Sequence, residues 1–240
     1  MMLNERRKIF KKLAVITGTF GAFLFGLTRK SKSQESPLKR YGMAIDLRKC
    51  CGCQACAVAC KSEFNVRLGG YRSWVNNAEK GKFPITNRFF LPRLCNHCET
   101  PGCTRVCPTK ASYIREDGIV MVDKDQCIGC RYCMQACPYG ARYFNWLDDK
   151  TTDKARAFGT VDKCDFCFHR ITNGVVPSCV NTCPARARIF GDLNDTESEI
   201  SKFIGKNAAQ TLMPEFGTKP HVYYVGADES VMLGSPKGGN

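Results

Sequence analysis

The sequence predicts an α+β fold built from two pseudo-symmetric halves with inserted loops and a C-terminal extension. Three observations carry that prediction. Sixteen of the 17 cysteines fall into four groups of four with a recurring spacing. Short runs of alternating apolar residues lead into the groups, and short helical stretches follow them. The 240 residues suffice to bury an ordinary core without disulfide staples.

Residues 1–34 read as an address. Arg6-Arg7-Lys8-Ile9-Phe10-Lys11 places two arginines ahead of an apolar pair, and Leu13 to Leu27 carries no charge, the pattern of a twin-arginine export signal. As a helix that uncharged stretch would reach about 22 Å, short of the roughly 30 Å hydrocarbon core. Arg29, Lys30 and Lys32 stand where a neutral region would precede cleavage, so the segment is either removed or kept as an anchor. Ser31 to Pro37 is a polar linker.

The folded part is expected over 35–183, with an extension over 184–240 packing on the core or on a partner. Strands are predicted at Met43-Ala44-Ile45-Asp46, at Gly118-Ile119-Val120-Met121-Val122-Asp123 and at Gly159-Thr160-Val161-Asp162, with a short helix over Ala57 to Lys61. Residues 61–94 and 138–163 are insertions whose Trp74 and Trp146 are expected to cover the cysteine groups. In the extension, Thr196-x-x-Glu199 reads as a capping box ahead of a helix near 197–207.

Cys50, Cys53, Cys56 and Cys60, and likewise Cys127, Cys130, Cys133 and Cys137, have the spacing of bacterial ferredoxins. Cys95, Cys98, Cys103 and Cys107, and Cys164, Cys167, Cys179 and Cys183, repeat it with a loop inserted before the third cysteine. Three thiolates on a tight loop can reach three irons of a cube. The helix that follows then carries the fourth cysteine away to a second cluster. Each unit is therefore half of a ferredoxin-like fold holding two [4Fe-4S] clusters. Gly52 and Gly129 let the backbone approach sulfide closely, and Pro108, Pro138 and Pro184 end the helices. Zinc would need four ligands of one tetrahedron, which a triple plus a displaced cysteine does not supply. Disulfides fit badly with an odd count and adjacent Cys50-Cys51. Cys51 stands outside the groups and reads as a small buried apolar residue.

The formal charge of +14 invites a nucleic-acid partner. Half of it, however, lies in residues 1–34, where eight basic side chains face only Glu5. Thiolate-bound clusters, each worth about −2, would offset most of the rest, and no nucleic acid is expected. A hydrophobic fraction of 43% and a mean hydropathy of −0.28 exclude a chain of many membrane spans. His97 and His169 lie in or beside cysteine loops and read as hydrogen-bonding groups near sulfide, and His221 as structural. The sequence holds neither a G-x-S-x-G nor a G-x-G-x-x-G turn. With every cluster ligand present, no catalytic residue is assigned.

The segments Ala44-Ile45-Asp46-Leu47-Arg48-Lys49-Cys50, Leu91-Pro92-Arg93-Leu94-Cys95-Asn96-His97-Cys98, Ala136-Cys137-Pro138-Tyr139-Gly140-Ala141-Arg142 and Asp162-Lys163-Cys164-Asp165-Phe166-Cys167-Phe168-His169-Arg170 carry a specific resemblance, joined by Pro220-His221-Val222-Tyr223-Tyr224. Over residues 41–240 the chain resembles the four-cluster iron–sulfur subunits of the molybdopterin, or dimethyl sulfoxide reductase, superfamily. It looks closest to those of tetrathionate and polysulfide reductases. The resemblance implies four [4Fe-4S] clusters held by Cys50, Cys53, Cys56 and Cys183; by Cys164, Cys167, Cys179 and Cys60; by Cys95, Cys98, Cys103 and Cys137; and by Cys127, Cys130, Cys133 and Cys107. It further implies a non-catalytic subunit of anaerobic respiration at the periplasmic membrane face. Its partners would be a multi-span, quinol-oxidising membrane anchor and a molybdopterin catalytic subunit. A related alternative is electron transfer to a multihaem cytochrome nitrite reductase.

Overall fold

The strand expected at Met43 is a central one. Met43, Ala44 and Ile45 are all fully buried, so β1 (Tyr41–Asp46) is covered on both faces and reads as a continuous apolar run. The computed structural model describes residues 38–146, 158–227 and 231–232, and the twin-arginine segment and the remaining stretches lie outside them.

The cysteine-bearing part continues with α1 (Ala55–Glu63), then the hairpin of β2 (Ser73–Lys82) and β3 (Ile85–Leu94), paired antiparallel from Ser73↔Leu94 to Lys82↔Ile85. Next come α2 (Gly102–Arg105), the pair β4 (Ser112–Ile114) and β5 (Val120–Val122), and α3 (Tyr132–Gln135). A second small pair, β6 (Tyr143–Phe144) and β7 (Val161–Asp162), precedes α4 (Phe168–Ile171) and α5 (Ser178–Asn181). The extension adds β8 (Arg188–Asp192), α6 (Glu199–Lys206), β9 (Ala209–Gln210) and β10 (Val222–Val225).

The extension is integral to the main sheet, whose order is β8-β1-β10-β9. Met43 pairs with Phe190 across the antiparallel β8 and with Val222 across the parallel β10. Ile200 of α6 is fully buried against Ala44 and Ile189. The helix starts two residues later than the capping box implies. Ser198 is the cap, its Oγ accepting from the Ser201 N–H at 3.3 Å, because Asp195 draws the preceding residues into a turn by accepting the Glu197 N–H at 2.8 Å.

Much of the core is sulfur. Cys56, Cys95, Cys98, Cys164 and Cys179 share one buried cluster with Met43, Ile45, Leu91, Leu94, Ile119, Phe166 and Tyr224. Cys103 and Cys133 share a smaller one with Val120 and Val161. Trp74 packs partly buried against the main core, with the Arg93 guanidinium 5.5 Å from its ring. Trp146 is exposed, stacks edge-on to Phe144 at 4.6 Å, and has Arg131 4.2 Å over its ring. It thus lies beside the loop that carries Cys130.

Candidate metal centres

Four loops present the first two cysteines of each group, and one backbone feature repeats in all of them. The residue immediately before the second cysteine is left-handed: Gly52 at φ 70°, His97 at 43°, Gly129 at 69° and Phe166 at 55°. The two glycines cannot be replaced, since a Cβ on Gly52 would meet the Phe90 ring at 2.2 Å and one on Gly129 the Gly159 carbonyl oxygen at 2.0 Å. His97 and Phe166 adopt a conformation that bulky residues rarely take. Their rings stack on each other with centroids 3.8 Å apart, both fully buried, which holds the two loops together.

The structure brings cysteines of different groups to common cavities. Cys183 lines the same cavity as Cys50, Cys53 and Cys56. Cys137 lines another with Cys95, Cys98 and Cys103, closed by Tyr139 and Thr218. Cys60 lies in the field of Cys179 and Cys167, and Cys164 in that of Cys60, Cys179 and Cys167. In the group of Cys127, Cys133 lies in the field of Cys103 and Cys127, while α2, which leads to Cys107, packs against α3. Burial pushes the Cys98 and Cys167 thiols up to about 12 and Cys60 and Cys164 higher still. These four thiols therefore have to lose protons to serve as metal ligands.

These donor sets suit a polynuclear group. Among the described residues no three His, Cys, Asp or Glu side chains converge as they would on a single metal ion; the cysteines instead stand around the walls of cavities. Donors already point at sulfur: the Ala187 N–H reaches Cys183 Sγ at 3.3 Å, and the Phe166 N–H reaches Cys164 Sγ at 3.4 Å. Such hydrogen bonds set the potential of a bound cluster.

Two features escaped sequence reasoning. Arg142 Nη2 donates to Cys103 Sγ at 3.0 Å, and Arg188 donates to Cys179 Sγ at 3.5 Å and Cys56 Sγ at 3.4 Å. Both arginines are buried. A signal existed, because each stands five residues after a fourth cysteine, in Cys137-Pro138-Tyr139-Gly140-Ala141-Arg142 and Cys183-Pro184-Ala185-Arg186-Ala187-Arg188. The second feature is an ion network. Arg72 grips Asp162 through two bonds of 3.0 Å and reaches Asp165 at 3.2 Å. Lys124 and the Tyr143 hydroxyl also bind the Asp162 carboxylate, at 2.8 and 2.6 Å. Nothing in residue spacing announces these partners.

Two expectations need correction. Cys51 is exposed, not buried, although it lines the same cavity as Cys50, Cys53 and Cys56. His169 is exposed and bonds Glu63 Oε1 at 2.7 Å, joining α4 to α1. Of the histidines near the cages only His97 is buried, with Nδ1 accepting the Val120 N–H at 3.1 Å. Burial holds His97 neutral and lowers His221 to about 4.

Cages of thiols strung through an α+β core define an iron–sulfur electron carrier. The family model described as a 4Fe-4S dicluster domain matches residues 86–193. A tetrathionate reductase subunit of Salmonella typhimurium is 42% identical over 240 residues, covering 95% of this chain and 91% of the relative. A polysulfide reductase component of Wolinella succinogenes is 41% identical over 78% of this chain and 94% of its own length. A selenate reductase subunit of Mesobacillus selenatarsenatis is 43% identical over 76% and 70%. This protein is a member of the four-cluster iron–sulfur subunit family of the dimethyl sulfoxide reductase superfamily. It carries four [4Fe-4S] clusters and relays electrons as a subunit of a larger oxidoreductase.

Proposed function

We propose that the crossed ligand sets implied by the resemblance are the four clusters of this chain, in the order Cys50/Cys53/Cys56/Cys183, Cys164/Cys167/Cys179/Cys60, Cys95/Cys98/Cys103/Cys137, Cys127/Cys130/Cys133/Cys107. The observation that carries the order is exposure. Cys53 and Cys130 reach the surface, whereas Cys60, Cys164, Cys167, Cys179, Cys95, Cys98 and Cys103 are buried. The stacked His97 and Phe166 join the loops of the two inner cages. When bound, the clusters supply one-electron steps at potentials set by their surroundings. The protein's part is to fix their spacing, exclude water from the inner pair and leave one exposed contact at each end.

In this reading the subunit is itself non-catalytic. It connects a multi-span, quinol-oxidising membrane anchor to a molybdopterin catalytic subunit. The relatives, components of tetrathionate, polysulfide and selenate reductases, favour such a partner over a multihaem cytochrome nitrite reductase. Two pseudo-symmetric ferredoxin-like units occupy 35–183, and the extension over 184–240 completes the sheet. Purified anaerobically with its partners, the complex should hold about sixteen irons and sixteen sulfides per copy of this chain, in addition to those of other subunits, together with a molybdopterin subunit. Half that iron, zinc in its place, or a haem protein as the partner would reject the proposal.

Residues 1–34 act as the signal or anchor that places the subunit on the periplasmic face of the cytoplasmic membrane. Arg6→Lys with Arg7→Lys keeps the charge but removes the pair that a twin-arginine receptor reads. The variant is expected to stay in the cytoplasm with its clusters intact. Protease accessibility at the unmodified level from the outer face would show that the pair supplies flanking charge only.

A further inference from the structure

Among the described residues, Arg142 and Arg188 are buried cations with no carboxylate partner. Arg72 has Asp162 and Asp165. Among the described residues Arg188 bonds the thiols of Cys179 and Cys56, the Ser73 hydroxyl at 3.0 Å and the Met43 sulfur at 3.7 Å. Besides burial, the largest influences on its charge come from Cys179, Cys56, Tyr224 and Cys164, none a carboxylate. Arg142 donates to Cys103 Sγ, and its charge acts on Cys133, which packs with Cys103 in one buried cluster. Its Nη1 is buried with no hydrogen-bond partner. An uncompensated buried charge is costly, so the compensating charge has to come from what the cysteines hold.

The four thiols that the two guanidinium groups bond or lie beside are Cys56, Cys103, Cys133 and Cys179, the third cysteine of every group. Each arginine therefore spans two cages: Arg188 those of Cys56 and Cys179, Arg142 those of Cys103 and Cys133. We propose that each guanidinium is a shared redox-setting cation for one pair of clusters, raising the reduction potential of both members together. The inference rests on the crossed ligation proposed above. Reduction adds one electron to a cluster, delivered from the neighbouring cluster or the quinol side and passed on to the next. No proton moves, because the guanidinium is already charged at any working pH. A fixed positive charge beside a ligand thiolate of each cluster stabilises the added electron on either one.

The test is redox-poised electron paramagnetic resonance on the purified complex. Cys56→Ser, Cys179→Ser, Cys103→Ser and Cys133→Ser identify which signal belongs to which cage. Arg188→Gln should make the two clusters of Cys56 and Cys179 at least tenfold harder to reduce, about 59 mV for a one-electron couple, and leave the other two in place. Arg142→Gln should do the reverse. With sixteen irons retained, unmoved potentials, or four potentials moved alike, would overturn the proposal. If a glutamine variant loses iron, the lysine variant decides. An ammonium keeps the charge, so both potentials of the pair should stay close to their unmodified values, and a fall of either by as much as the tenfold expected of the glutamine variant would count against a shared charge. Failure of the ligation reading looks different: Cys56→Ser and Cys183→Ser would then disturb different signals, whatever the arginines do.

Discussion

Cys137→Ser is expected to abolish or convert the same cluster signal as Cys95→Ser, and to spare the one that Cys133→Ser disturbs. Sequence distance argues for the opposite, since Cys137 follows Cys133 on α3 and its turn. The geometry overrides it, because Cys137 lines the cavity of Cys95, Cys98 and Cys103. The effect should be large. A cluster iron that loses its thiolate is opened to solvent or lost, and Cys95 and Cys98 belong to the main core. An emptied cage leaves a void among packed side chains, which is destabilising in proportion to its size. Spectra in which Cys137 and Cys133 variants perturb one common signal would rule out the crossed arrangement.

Arg72→Met should be the most damaging substitution outside the cysteines. Removing one partner of a buried pair leaves a buried charge behind and costs on the order of 3–5 kcal/mol, read as a lower denaturation midpoint with the slope unchanged. Burial alone would raise the Asp162 carboxyl, but Arg72 and Lys124 overcome this and hold it well below the usual carboxylate range. Its contribution is therefore complete above the unfolded value, near 3.8, and is lost as pH falls through the lower folded value. In Arg72→Met the folded value moves up, so acid unfolding should begin at higher pH. A loss below about 1 kcal/mol would mean that Lys124 and Tyr143 satisfy Asp162 unaided.

The cysteine loops were legible because ligand chemistry demands fixed residue types at fixed spacing, and the glycines because a tight turn needs positive φ at Gly52 and Gly129. The same turn at His97 and Phe166 was invisible, since those side chains compensate for an unfavourable backbone by stacking on one another across a distance the sequence does not encode. β1 was read correctly as a strand from its apolar run, yet its two neighbours come from the far end of the chain. The hairpin of β2 and β3 appeared only as an insertion because its outer half is polar and exposed. Arg72 finds Asp162 ninety positions away, a partnership that no local pattern records.

The sheet order also dictates a timetable for synthesis. β1 is among the first folded segments to leave the ribosome, but it lies between β8 and β10, and the cavity of Cys50 closes only when Cys183 arrives. Through most of translation the nascent chain thus holds an unpaired strand edge and a half-built thiol cage, the kinds of surface that invite aggregation and adventitious metal. The first cage, begun at Cys50, is consequently finished last, when Cys183 joins it, and any compartment boundary the loaded protein crosses afterwards must be crossed folded.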